Sequence, residues 1–260
     1  GGKGSWLLNG PVEFNHIAEA ISEYMVKATL PEPFVLGKTR IPLNVPTYGA
    51  NEVIEAVESM VTTWVTMGKK VKRFEEMFAE YVGIRYAIMV NSGSSANLLA
   101  LSCLGLKPGD EVITPALTWA TTVFPIAQVG AVPVLVDVDL DTYNISPEAV
   151  ELAITPQTKA IMAVHLLGKP CNMDALVDIA DRHKLHLLED ACEAHGAEYH
   201  GRKVGSFGEM ATFSFFFSHH ISTVEGGMVL TNDDDFADRL RSMRSHGWVR
   251  EMFTRHVVEE

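Results

Sequence analysis

Apolar residues recur along this chain in two alternating rhythms. Short continuous apolar runs at residues 86–90, 111–114, 132–136, 159–164, 186–189, 211–216 and 228–230 predict seven strands. Residues 14–26, 52–62 and 71–82 instead carry apolar positions at helical spacing, and helical patterns fill most of the gaps between the strands. Ser146-Pro147-Glu148 supplies a capping hydroxyl followed by a proline suited to a first helical turn. Asp234-Asp235 places negative charge at the start of a helix running to Arg244. Strands alternating with helices predict an α/β fold, a mainly parallel seven-stranded sheet between helices. In such sheets ligands gather at the carboxyl ends of the strands.

Composition narrows the picture without changing it. With 260 residues, 47% of them hydrophobic, the chain can bury a substantial core. A formal charge of -12 argues against a phosphate-tracking basic surface, so nucleic acid is not an expected partner. Three cysteines, Cys103, Cys171 and Cys192, show no CxxC spacing; neither a disulfide framework nor a zinc site is suggested, which fits a reducing cytoplasm. No apolar run approaches the roughly 18 residues of a membrane span. A Pro-rich connector divides residues 1–45, an arm or linker, from residues 46–250, the main domain. The opening Gly-Gly-Lys-Gly-Ser without a methionine, and the charged stretch at residues 251–260, lead us to expect a chain cut at one or both ends.

Four strand ends carry candidate chemistry. After the strand at 86–90, "NSGSSANLLAL" opens a helix; Gly93 and the hydroxyls of Ser94 and Ser95 suit an anion at a helix N-terminus, or simply cap the helix. Trp119 follows the next strand and is read either as a face on which a planar ligand stacks or as a core residue. The very apolar "LHLLEDACEAHG" delivers Glu189-Asp190 to the edge of the core, where a carboxylate requires a cationic partner, strong hydrogen bonds, or a turn to cap. "FSFFFSHH" adds Ser214 and the adjacent pair His219 and His220, of which one faces inward and the other outward by the usual alternation.

This order of motifs resembles the fold-type-I pyridoxal-phosphate (PLP) enzymes, in particular the DegT-type nucleotide-sugar aminotransferases, from about residue 41 to 250. "IPLNVPTYGANEVIEAV", "GKKVKRFEEMFAEYVG", "TPALTW", "VHLLGKPCNMDAL", "EDACEAHGAEY" and "EGGMVLTND" add to the resemblance. It implies a cofactor, PLP or pyridoxamine phosphate, held by Gly93, Ser94, Ser95, Trp119, Asp190, Glu193, Ser214 and His219, with Asp190 on the pyridinium nitrogen. Glu193 stands where these aminotransferases usually have Gln, near the cofactor's phenolic oxygen.

One departure sets the expected activity. By spacing from Ser214 and Glu225, His219 occupies the place of the Schiff-base lysine, and the segment has no lysine. That pattern is similar to the family's 3-dehydratase branch, which removes the C3 hydroxyl from nucleotide-linked 4-keto-6-deoxyhexoses. The resemblance thus implies His219 and Asp190 as catalytic residues, L-glutamate as amine donor, and a homodimer. A kind with an iron–sulfur cluster exists in that branch; here only Cys192 matches a ligand position, so a cluster-free protein without a metal is expected. Two alternatives stand beside it. An aminotransferase would need a lysine from elsewhere, Lys169 or Lys203. A degenerate cofactor-binding scaffold would need none. The smaller C-terminal domain usual in the family is expected to be absent or truncated.

Overall fold

The computed structural model describes residues 11–28, 33–42, 45 and 48–254. They divide into two compact units meeting at residues 69 and 70. In the first unit, α1 (Pro11–Ala28) packs against α2 (Ala50–Val61), whose start is closed by the Gly49 N–H donating to the Glu52 carboxylate at 2.6 Å. The unit boundary lies C-terminal to the 45/46 division suggested by the Pro-rich stretch, because α2 packs on α1. Residues 1–10, 29–32 and 43–44 of the expected arm, and 255–260 of the C-terminal stretch, lie outside the described residues.

The second unit runs α3 (Lys69–Val82), β1 (Tyr86–Val90), α4 (Gly93–Cys103), β2 (Glu111–Pro115), α5 (Ala120–Gln128), β3 (Val132–Val136), α6 (Pro147–Ala153), β4 (Thr158–Val164), α7 (Met173–His183), β5 (His186–Asp190), β6 (Glu198–Tyr199), β7 (Arg202–Lys203), β8 (Met210–Ser214), β9 (Gly227–Thr231) and α8 (Asp234–Arg244). Seven strands form one sheet in the order β1-β9-β8-β5-β4-β2-β3, and β6 pairs with β7 as a separate small hairpin. All neighbours in the large sheet are parallel except β9, which is antiparallel to both β1 and β8. The loop from β8 to β9 contains no helix, so the chain turns back without a crossover and the strand it forms reverses direction.

Local chemistry accounts for the helix starts. Ser146 accepts from the Ala149 N–H ahead of Pro147 at the start of α6; Asn172 and Asp233 do the same for α7 and α8. The helices cover both faces of the sheet. Ala96, Ala100 and Leu101 of α4 pack with Ile126 of α5 and Leu240 of α8 on one side. Phe78 of α3 packs on Phe213 and Phe215, and Met173 and Leu176 of α7 pack on Ile161 and Leu187, on the other. The last long apolar run was expected to reach residue 216, but β8 ends at Ser214. Phe215 still bonds Gly226, after which a turn closed by His219 N–H on Phe216 O carries the exposed Phe216 and Phe217 away from the sheet.

Glu189 and Asp190 end β5 on opposite faces, and Glu189 is a structural group. Fully buried, it accepts from the N–H groups of Gly205, Phe207 and Gly208, each at 2.7 Å, and from His165 Nε2 at 3.0 Å. The Cys171 N–H points at His165 Nδ1 (3.1 Å), which therefore carries no proton, so Nε2–H is the donor to Glu189. Burial alone would raise the Glu189 carboxyl, but these hydrogen bonds outweigh it and hold it below its ordinary value. Glu189→Gln replaces one acceptor with a donor facing donors, and we expect a loss of about 3 kcal/mol in urea unfolding. The wild-type contribution is complete above the ordinary carboxyl value of 4.5 and is lost as pH falls through the lower folded-state value. A variant with an unchanged midpoint at neutral pH would show that the network is dispensable.

Candidate active site

Because β1, β2, β5 and β8 run in one direction, their carboxyl ends lie along one edge of the sheet, and each delivers a different group there. Past β1, Ser92 caps α4, accepting from the Ser95 N–H at 3.1 Å. The N–H groups of Gly93 and Ser94 have no intrahelical acceptor. Ser94 is exposed, and Ser95 Oγ lies 3.1 Å from Ser92 Oγ. Gly93 is buried at the point of closest approach: a Cβ there would lie 2.6 Å from Ser214 Cβ and 2.9 Å from Cys192 Sγ. Any other residue would push β8 away from the helix terminus. Gly227 is equally constrained, since a Cβ would collide with the Ser92 carbonyl.

Past β2, Trp119 stands at the N-cap of α5 with 75% of its surface exposed, so its ring is free to stack and is not part of the core. At the end of β5, Asp190 is buried at 5% exposure. It accepts from Asn97 Nδ2 at 2.9 Å and Thr122 Oγ1 at 2.8 Å on Oδ2, and from the Cys192 N–H at 3.2 Å on Oδ1. No cationic side chain pairs with it among the described residues. Glu193 is half-buried and accepts from the N–H of Leu167, a residue held at positive φ, at 2.9 Å.

Beyond β8, Ser214 is buried beside Gly93, His219 is half-buried and His220 is exposed. Burial lowers the His219 imidazole below its ordinary range; Glu193 and Asp190 oppose this and His220 adds to it. Burial thus favours the neutral ring, the form that accepts a proton. Thus Gly93, Ser214, Asp190 and Cys192 come together closely, with Glu193 and His219 within electrostatic reach of Asp190 or of each other.

The three cysteines stand apart in kind. Cys103 lies against Met243, Cys171 donates to the Val164 carbonyl, and burial pushes the Cys192 thiol well up, with Asp190 adding to it. Among the described residues no cluster of three or more His, Cys, Asp or Glu side chains is arranged to hold a metal ion. None of the described helices is long and apolar enough to cross a membrane.

Sequence reasoning passed over Asn97, Thr122, Thr212 and His195. The first three had a signal: Asn97 lies one turn beyond Gly93 on the buried face of α4, Thr122 one turn beyond Trp119, and Thr212 two residues before Ser214 on the same strand face. His195 had none. Its ring nitrogens are buried with no well-formed hydrogen bond among the described residues, between Phe78, Phe213 and Phe215, near the Ser214 backbone and the rings of His219 and His220. Burial, with the two neighbouring histidines, pushes its pKa down to about 3.

A family model described as the DegT/DnrJ/EryC1/StrS aminotransferase family matches residues 47–260. The GDP-perosamine synthase of Caulobacter vibrioides is 47% identical over 209 residues, 80% of this chain and 56% of the relative. The solved E. coli GDP-4-keto-6-deoxy-D-mannose-3-dehydratase with bound hydrated PLP has a TM-score of 0.77 at 43% identity, covering 81% of this chain and 56% of that one. A solved variant of a GDP-4-keto-6-deoxymannose-3-dehydratase, with lysine replacing a histidine and asparagine replacing the serine before it, has a TM-score of 0.75 at 42% identity, covering 80% and 56%. The chain spans about half the length of the relatives it matches.

Proposed function

The chain belongs to the DegT/DnrJ/EryC1/StrS aminotransferase family, and from that membership we propose a PLP-dependent 3-dehydratase that removes the C3 hydroxyl of a nucleotide-linked 4-keto-6-deoxyhexose. The residues fit the cofactor. A phosphate needs the close approach that Gly93 permits, a planar ring needs the exposed Trp119 face, and a protonated ring nitrogen needs a buried carboxylate with its charge unspent, as Asp190 has. When bound, the cofactor would supply an electron sink for carbon adjacent to its amine nitrogen.

The chain's own part is binding and proton transfer. The Gly93 and Ser94 N–H groups, with the hydroxyls of Ser94, Ser95 and Ser214, hold the phosphate. Trp119 would offer its exposed face to the cofactor ring, and Asp190 Oδ1 would be the counter-charge for a protonated ring nitrogen. An imidazole nitrogen of His219 would accept a proton as general base and return it to the C3 hydroxyl oxygen, which would leave as water. Glu193 faces the imidazolium formed in between and stabilises it. L-Glutamate as amine donor and a second copy of the chain in a homodimer belong to the same proposal.

The observation that carries this reading is a half-buried histidine, and no lysine, on the loop after β8. Ser218-His219 has the serine-then-histidine order altered in the solved dehydratase variant, whereas His220 follows another histidine; this favours His219 as the base. The similarity to GDP-perosamine synthase keeps an aminotransferase as the second reading. Against it, Lys203 is engaged by Glu198 at 3.0 Å over the Tyr81 ring. Lys169 donates to the Asp141 carbonyl at 3.1 Å. A panel of nucleotide-linked 4-keto-6-deoxy sugars with PLP and glutamate separates the two. Products lighter by water are expected; products that gain an amine and keep the C3 oxygen would establish the transferase.

A further inference from the structure

The hydrogen bonds to Asp190 are unevenly shared between its two oxygens. Oδ2 receives both strong side-chain donors, Asn97 Nδ2 at 2.9 Å and Thr122 Oγ1 at 2.8 Å, while Oδ1 receives the long Cys192 N–H at 3.2 Å, and the weakly donating Cys192 thiol lies beside the carboxylate. Donor directions are fixed by what each group faces. Asn97 Nδ2 also reaches the Thr121 carbonyl at 3.1 Å, so it meets two acceptors, and the amide oxygen must take the Thr212 hydroxyl at 2.5 Å. Thr122 gives its proton to the carboxylate, so at 2.9 Å it accepts from Thr118. Asn97 and Thr122 are 1% exposed and Thr212 is 0% exposed, so water has no access to replace a lost donor.

We propose that Asn97, Thr122 and Thr212 are positioning residues that hold Asp190 by its Oδ2 and fix its plane, leaving Oδ1 as the oxygen offered to a protonated heteroaromatic nitrogen. The inference rests on the cofactor reading above and extends it to residues that do not touch the cofactor. The two side-chain donors come from α4 and α5, and Thr212 of β8 fixes the Asn97 amide in turn, so the carboxylate is held from two helices, one of them braced by the sheet. All three are neutral. They stabilise the anion without cancelling its charge, which a lysine or arginine in their place would do, and the charge remains for the ligand. Removing a donor frees the carboxylate to turn, and its contact with the proton on the ring nitrogen is then weakened.

PLP labelled with 15N in its ring, added to the purified protein, reads this directly and requires no turnover. With wild type we expect the ring-nitrogen signal near its protonated limit. With Thr122→Val, which keeps the shape and deletes the donor, we expect the signal to move toward the unprotonated limit and PLP to bind about tenfold more weakly. Thr122→Ser should restore both. Thr212→Val, which loosens Asn97 instead, should move the signal the same way by less, and it carries the test should Thr122→Val fail to fold. Valine variants indistinguishable from wild type would overturn the inference and leave the cofactor reading standing. A wild type that binds no PLP would overturn that reading, and the inference with it.

Discussion

His219→Lys is expected to lower the rate of water loss by about 10²–10⁴-fold, the usual worth of a positioned general base. At the same time it should make bound PLP covalently attached, so that borohydride fixes the cofactor's mass to the protein. The reasoning lies in the side chain's place and length. His219 is half-buried, within electrostatic reach of Glu193 and Asp190, on the loop that follows β8. A lysine there carries a primary amine on a longer stem toward the same region, and partial burial favours its neutral, nucleophilic form. An imidazole moves a proton without forming a lasting bond; an amine at that place competes with the substrate's own nitrogen chemistry. His220→Lys is the control. His220 is exposed, and its replacement should leave water loss within a few-fold. If His219→Lys retained full dehydration while His220→Lys lost it, the two histidines would exchange roles.

Asp190→Asn is expected to cut turnover by at least about 10²-fold, with the protein still folded and its far-UV spectrum unchanged. Asparagine matches the volume, so packing against Asn97 and Thr122 is retained. Its charge is gone, however, and a ring nitrogen opposite a neutral amide has no counter-charge to keep it protonated; the electron sink weakens accordingly. A second cost follows from hydrogen-bond accounting. Whichever way the amide turns, its NH₂ group faces a donor: Asn97 Nδ2 and Thr122 on one side, or the Cys192 N–H on the other. PLP absorbance titration should show weaker binding together with the lost rate. Unchanged turnover would mean that Asp190 is only a buried structural carboxylate like its neighbour Glu189, and the cofactor would have to sit elsewhere.

Neighbouring positions in the sequence differed in how much they disclosed. The strand ends were legible because they rest on local signals: apolar runs bounded by Gly and Ser, a proline after a capping serine, and a carboxylate pair closing a run too apolar to be half exposed. Gly93, Ser214, Trp119 and Asp190 were all placed at strand ends in this way, and all lie at the same edge of the sheet. The pair Glu189-Asp190 marks where that legibility stopped. Both are acidic and adjacent, and sequence could not say which would face the site. Strand alternation sent Glu189 to the face where the turn at Gly205, Phe207 and Gly208 awaited it, and Asp190 to the face covered by α4.

The sequence by itself determined the alternating α/β order, the helix-opening Gly93-Ser94-Ser95 and the lysine-free stretch from Phe213 to Gly227, because each depends on residues close together along the chain. The tertiary structure alone decided who holds Asp190, that His195 sits among Phe78, Phe213 and Phe215, and which histidine of the pair is half-buried. Those properties arise from contacts between segments far apart along the chain: Asn97 and Asp190 are separated by 93 residues, Thr122 and Asp190 by 68. Residue types state what each side chain can donate or accept; only packing brings particular donors to one oxygen and leaves the other open.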